Sequence, residues 1–347
     1  MVKMRDVAKH AGVSVATVSN VITNKKYVGE NVKKKVMDSI KTLNYNIDFI
    51  ARALKTQQTG TIGVLVPDIT KLAFLDMLKG ILDTAQKEGY NINISSSNFN
   101  IKTEKNYVTI LKNNRVDGII IDSCVNYKNG SDWAKEMSDL GPYVPVVSME
   151  CKLDTNYISS IVFDTREITR CLIQHLVDIG KRNILFIAPP VTIEWGKAHY
   201  MGYKDVLKRN NIAILDDLIL KGDFTSISGY NAALYALKKN LKFDAVWAPN
   251  DQAAIGVIKA LYENGLSIPA DVAVCGFDNV FASTLVKPAI TTVSIPRYKM
   301  GVIAVQEVLR RIRDKHSTPK SYIMEAELII RASTKPGIKT DWAIGDW

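Results

Sequence analysis

The chain has 347 residues, 47% of them hydrophobic and 23% charged, and 45 Lys and Arg against 35 Asp and Glu leave it at +10 near neutrality. That surplus points to an anionic partner, while the lack of any apolar run of spanning length excludes a helical membrane protein. The length exceeds one comfortable core, so several domains are expected. A charged segment, not an apolar leader, follows Met1, which makes the cytoplasm the expected location. Cys124, Cys151, Cys171 and Cys275 have no metal-ligand spacing and read as buried free thiols in a reducing compartment. Neither metal nor cofactor is expected.

Val7, Ala8 and Ala11 form a first apolar stripe, and Val18, Val21 and Ile22 a second. Between them, Gly12-Val13-Ser14 offers a glycine for a tight turn and a hydroxyl to cap the next helix, as a helix-turn-helix requires. Val32, Val36, Ile40 and Leu43 predict a third helix, flanked by Lys33, Lys34 and Lys35. Many helical modules share such a pattern without touching DNA, but charge favours DNA here. Residues 1–60 hold eleven Lys and Arg against four Asp and Glu, so +7 of the chain's +10 lies in about a sixth of its length. The next segment, Tyr45 to Lys55, reads as an isolated helix below the ~12 residues needed for stability in water, so it needs a partner.

From Gly60 onward short β-branched runs alternate with amphipathic helices. Strands are expected at 61–66, 92–95, 116–121, 144–149, 184–187, 245–248 and 272–274. Helices are expected at 72–89, 102–114, 166–179, 197–210, 229–240 and 252–264. Such alternation favours parallel sheets wrapped by helices on both faces, and about 285 residues of it suggest two lobes. A two-lobed α/β enzyme is one rival reading, but no two glycines are separated by one residue and no phosphate loop, HExxH helix or GxSxG elbow occurs. Open parallel sheets bind ligands at the carboxyl ends of their strands, where Asp68, Glu150, Asn250 and Asp278 stand.

Taken together, residues 4–22, Ile62 to Asp68, Val116 to Ile120, Ala248 to Gly256, Gly265 to Val272, Gly276 to Asn279 and Lys287 to Val293 resemble the lactose-repressor (LacI/GalR) family of bacterial transcription regulators, almost from end to end. The resemblance implies an all-α three-helix helix-turn-helix headpiece plus hinge helix, followed by a two-lobed α/β periplasmic-binding-protein-like (type I) effector domain. The implied divisions are a headpiece at 1–47, a hinge at 48–60 and an effector-binding and dimerisation domain at 61–334. Within that domain the N-lobe takes about 61–161 and 291–321, and the C-lobe about 162–290 and 322–334. A tail follows at 335–347, with two tryptophans and no leucine heptad, so no coiled-coil tetramer is expected.

The implied DNA contacts are Ser14, Val15, Ala16, Thr17, Ser19 and Asn20 on the second helix, then Tyr45, Ala51, Leu54 and Lys55. In this family the matching leucine wedges into the minor groove. Two departures stand out: Asn20 replaces the usual arginine and suits adenine in place of guanine, and Ile47-Asp48 replaces Pro-Asn before the hinge. The implied effector contacts are Asp68, Phe74, Glu150, Lys197, His199, Phe224, Asn250 and Asp278. Phe224 is equally a plain hydrophobic plug. His199 stands where the family commonly has arginine, and Lys197 is either a contact for a charged effector such as a sugar phosphate or, the favoured reading, a solvated lysine. The expected function is repression from a near-palindromic operator by a homodimer, through N-lobe helices starting near Leu72, under control of a sugar or related metabolite. A sugar-binding receptor shares the lobed fold but has no use for residues 1–55.

Overall fold

The computed structural model describes residues 2–23, 26–45, 58–123, 136–137, 139–140, 143–152, 156–189, 194–314 and 316–338. The chain divides into two compact units, Met1–Thr59 and Gly60–Trp347.

In the first unit, helices α1 (Met4–Ala11), α2 (Val15–Thr23) and α3 (Glu30–Thr42) close around Val7, Ala8, Val18, Val36 and Tyr45. So small a core needs polar fasteners. Ser39 gives its hydroxyl proton to the Lys35 carbonyl at 2.7 Å and accepts from His10 Nδ1 at 3.0 Å, which ties α1 to α3. Asn44 ends α3 in the left-handed region (φ 46°), and the Tyr45 N–H returns to the Ile40 carbonyl at 3.0 Å.

The second unit carries two parallel sheets. The N-lobe sheet is six-stranded in the order β11-β5-β4-β3-β1-β2, formed by Ser321–Ile323, Ile158–Val162, Val146–Met149, Gly118–Asp122, Thr61–Val66 and Asn91–Ser96. The register places Ile62 beside Gly118 and Ile92, and every β1 residue from Ile62 to Val66 is buried, as a strand covered on both faces must be. On one face Ile62, Val64 and Val66 meet α4 (Ala73–Lys87) and α11 (Arg297–Arg313); on the other Leu65, Ile119 and Ile121 meet α5 (Ile101–Asn113). The C-lobe sheet runs β7-β6-β8-β9 (Ile219–Lys221, Ile184–Ala188, Ala245–Trp247, Ala273–Cys275). One face packs on α6 (Thr165–Asp178) and α7 (Glu194–Arg209), the other on α8 (Ser226–Lys238) and α9 (Asp251–Glu263). A short helix, α10 (Ala282–Leu285), follows β9, and β10 (Thr292–Ser294) pairs antiparallel with β12 (Glu327–Ile329). The chain passes between lobes after β5, around β10 and between β11 and β12. Those passages leave the lobes joined at one side and open to a cleft at the other.

Glycines bring helix backbones into direct contact in each lobe. A Cβ on Gly80 would lie well under 3.0 Å from the Tyr298 carbonyl and one on Gly301 equally close to that of Met77, locking α4 to α11. Gly229 and Gly256 stand in the same relation to the carbonyls of Ala253 and Ser226, locking α8 to α9.

The strands β5, β7, β10, β11 and β12 and the helix α11 were not expected from the sequence pattern. The strands other than β5 are three residues long, too short for alternation to show, and α11 carries Arg297, Glu307 and Arg311 among its buried residues, which breaks the apolar stripe. Cys151 and Cys275 are buried, but Cys171 is exposed on the outer face of α6, which corrects the expectation of buried thiols there. Cys124 and the tail tryptophans lie outside the described residues.

Candidate DNA-reading helix and effector cleft

The turn between α1 and α2 has the chemistry its sequence promised. Gly12 takes φ 66°, and the Val13 N–H closes on the Ala8 carbonyl at 3.0 Å. Ser14 Oγ then accepts the Thr17 N–H at 3.1 Å and lies 2.9 Å from the Thr17 hydroxyl, which caps α2. With Val18 buried in the headpiece core, the opposite side of α2 faces out: Ser14, Val15 and Ala16 are exposed, and Thr17, Ser19 and Asn20 are half-buried. Lys33, Lys34 and Lys35 are exposed on α3. Tyr45 differs, because its ring is buried in the core and packing is its first task. Ala51, Leu54 and Lys55, with Ile47 and Asp48, lie outside the described residues.

In the second unit a cleft lies at the carboxyl ends of the strands, where open parallel sheets present ligands. Phe74, Glu150, His199, Phe224, Asn250 and Asp278 line it, together with Lys71, Phe99, Phe163, Thr165, Phe277 and Arg297, which sequence reasoning missed. Asp68 sits behind the wall. Its carboxylate accepts from the Thr70 N–H at 2.9 Å and hydroxyl at 2.7 Å and lies 3.6 Å from Lys71 Nζ. Burial opposes its charge, but the Thr70 and Lys71 contacts outweigh that and hold its pKa below the ordinary carboxylate value. Lys197 is exposed on α7 and does not line the cleft.

Four cleft residues, Phe99 (φ 56°), Glu150 (φ 60°), Phe224 (φ 69°) and Asp278 (φ 103°), hold left-handed backbone that such side chains rarely adopt. Strain of this kind persists only where surroundings enforce it, and it concentrates at binding sites. The enforcement is visible. Asn250 caps α9 by accepting the Ala253 N–H at 2.9 Å and donates through Nδ2 to the Phe224 carbonyl at 3.0 Å, fixing the aromatic ring from behind. Phe224 stacks on Phe99 across the cleft, with centroids 6.0 Å apart and planes 17° from parallel.

Asp278 is held from both sides. Arg297, at the start of α11, bonds it through Nη2 at 2.6 Å and bonds Glu150 through Nη1, so one guanidinium joins carboxylates from both lobes. Burial pushes the Asp278 pKa up, Arg297 pulls it down and Glu150 raises it again, leaving it at about 6. For Arg297 the two carboxylates outweigh burial and raise its pKa further. Asp122 lies deeper, and burial with the nearby Glu150 charge drives its pKa well above the carboxylate range. A second link across the lobes runs from the Leu72 N–H to Gln252 Oε1 at 3.0 Å.

His199 is a neutral wall. Thr169 gives its only hydroxyl proton to the Thr165 carbonyl at 2.6 Å and therefore accepts from His199 Nδ1 at 2.7 Å, which makes Nε2 the acceptor nitrogen. Burial lowers its pKa to about 3.

Behind the Asp278 loop, Asp251 accepts the Val280 N–H at 2.9 Å and contacts the Thr292 hydroxyl at 2.6 Å, and only the bare Gly276 leaves it room. Burial raises its pKa to about 8. A carboxyl raised from 3.8 to about 8 favours the fold below its unfolded pKa, and that contribution fades as pH climbs from about 4 to about 8. Asp251→Asn supplies an uncharged group that keeps the Val280 bond through its amide oxygen and turns its amide N–H to the Thr292 hydroxyl, which then accepts. Its stability relative to the parent should therefore rise steadily over that interval in denaturant melts, and a pH-independent difference would contradict the protonated state.

Comparison with known proteins bears on both units. Residues 3–47 match the model of bacterial regulatory proteins of the lacI family, and residues 173–334 match a periplasmic binding protein-like domain. The HTH-type transcriptional regulator RegA of Clostridium saccharobutylicum is 34% identical over 333 residues, covering 95% of this chain and 98% of RegA. Among solved structures, a lac repressor dimer bound to operator and the anti-inducer ONPF superposes with a TM-score of 0.84 at 27% identity, covering 96% of this chain and 99% of that one. A complex of the regulator CelR with cellobiose gives 0.70 at 25%, covering 96% and 100%. A capped, outward-facing helix on a basic headpiece and a strained cleft between two parallel sheets thus occur in one chain, and with both family matches and a relative 34% identical over 95% of it, the chain belongs to the LacI family of bacterial transcriptional regulators.

Proposed function

We propose that this protein is a cytoplasmic repressor that binds a near-palindromic operator as a homodimer and is switched by a sugar or related metabolite in the cleft. One observation carries the reading: the outward side of α2, from Ser14 to Asn20, stands clear of the headpiece core on a strongly basic unit. In this reading residues 1–47 read DNA, 48–60 form the hinge, 61–334 bind effector and dimerise, and 335–347 are a tail. Ser14, Val15, Ala16, Thr17, Ser19 and Asn20 meet one major groove, Tyr45 supports that surface from the headpiece core, and Ala51, Leu54 and Lys55 meet the minor groove. A two-fold dimer presents two such helices to half-sites one helical turn apart.

The cleft senses; it does not catalyse. The imidazole on its wall is held neutral and, with a pKa of about 3, is a poor base at physiological pH. Phe74, Phe99 and Phe224 offer apolar faces to a ring, and Glu150, Asn250, Asp278 and His199 offer polar groups, with Asp68 acting through Lys71. Lys197, being outside the cleft, has no part in this reading. A ligand that bridges the lobes alters their closure and so the spacing of the paired headpieces; coupling of about 1–3 kcal/mol shifts operator affinity by about 5- to 150-fold.

The specificity of the headpiece has its own test. Site selection on random duplexes should recover inverted repeats with adenine at the pair read by Asn20, and Asn20→Arg should move the preference to guanine. Guanine selected by the parent chain would overturn the assignment.

A further inference from the structure

Among the described residues the cleft wall has two formal cations, Lys71 and Arg297, and both are engaged. Lys71 stands 3.6 Å from Asp68. Arg297 is more tightly bound: one terminal nitrogen serves Glu150, the other serves Asp278, and all three side chains are at least nine-tenths buried. A phosphate or carboxylate can take the two terminal nitrogens of this guanidinium only by stripping a carboxylate from one of them, which strands a buried charge. Among the lining groups Lys71 and Arg297 are balanced by Glu150 and Asp278, and with His199 neutral the wall has no positive surplus to attract an anion. Arg297 nonetheless has a need. Its Nε–H is buried and has no hydrogen-bond partner, so Arg297, which lines the cleft, keeps one donor that calls for an acceptor. A hydroxyl oxygen meets that demand without adding charge, and stacked rings at Phe99 and Phe224 suit the apolar face of a saccharide.

We propose that Arg297 is a specificity-determining residue: chained to Glu150 and Asp278, it makes the cleft a receptor for an uncharged polyhydroxylated molecule and closes it to the phosphorylated or carboxylated forms of the same molecule. The inference rests on the cleft being the effector site, and it goes further by fixing the charge of the ligand.

The test uses the full-length protein in titration calorimetry. Neutral mono- and disaccharides are compared with their own phosphate esters, and the neutral member of a pair should bind about 100-fold or more tightly. A phosphate ester that binds better than its parent sugar overturns the proposal. A second arm needs no sugar at all. Inorganic phosphate should shift the thermal midpoint of the parent by no more than it shifts that of Arg297→Met, a comparison that subtracts any phosphate held by the basic headpiece. Glu150→Gln with Asp278→Asn frees the guanidinium and should create a phosphate-dependent rise that disappears when Arg297→Met is added. Glu150→Gln alone serves the same purpose if the double variant does not fold. Phosphate stabilising the parent through Arg297, or failing to stabilise the variant with Arg297 freed, contradicts the assigned role. Failure of the underlying reading has a different signature: a saccharide binds in the calorimeter and operator affinity does not change.

Discussion

Gly256→Ala is expected to destabilise the second unit by more than about 3 kcal/mol, enough to lose most folded protein at moderate denaturant. The new methyl group would lie well under 3.0 Å from the Ser226 carbonyl oxygen and press on the Tyr230 nitrogen as well. Both obstacles are backbone within helix α8, so no rotamer change relieves them; α8 and α9 must separate, opening the packing of Ala232, Ala233, Ala236, Ala253 and Val257. Gly80→Ala or Gly301→Ala should do the same to α4 and α11 in the other lobe. Gly265→Ala is the informative control. Gly265 has φ 76° with open space around it, so alanine there meets only the left-handed backbone penalty of about 1–2 kcal/mol. Urea melts of the four variants check the ranking, and a Gly256→Ala protein as stable as Gly265→Ala would contradict the glycine-mediated crossing.

Leu54→Ala is expected to lower operator affinity by about two orders of magnitude while leaving nonspecific binding nearly intact. The reasoning is energetic. A wedge between base pairs costs unstacking energy and is repaid only when the bent duplex brings the paired headpieces into register on their half-sites. Removal of the side chain removes the kink and that register together. Nonspecific binding depends on Lys and Arg against phosphates, and it should keep its salt slope. Competition binding with selected and scrambled duplexes measures both quantities. Equal loss in the two would assign Leu54 to packing in place of the groove.

Much of this molecule was legible in its residues, for identifiable reasons. Gly12 and Ser14 act locally, through a left-handed turn and a cap, so their roles could be read from three adjacent letters. The longer strands and helices announced themselves by period, as with the fully buried β1. The cleft was only half legible. Phe74, Glu150, Phe224, Asn250 and Asp278 stood at strand ends or matched family positions, but Arg297 begins a helix after a passage between lobes, and nothing near it in sequence marks it as a partner of Glu150, 147 positions away. Phe99, Phe163 and Phe277 line the cleft only because the two sheets face each other, which no local pattern in the sequence announces. His199 carried an ambiguity that only its surroundings resolve, since the Thr169 hydroxyl and complete burial decide that it is neutral.

Operator affinity of the full-length chain, measured on a selected inverted-repeat duplex with and without a saccharide shown by calorimetry to bind the cleft, tests the link between the two units most directly. Affinity should change by about 5- to 150-fold on binding, in either direction, and Phe224→Ala should abolish the response while leaving ligand-free operator binding in place. Full cleft occupancy with unchanged operator affinity would contradict the regulatory account.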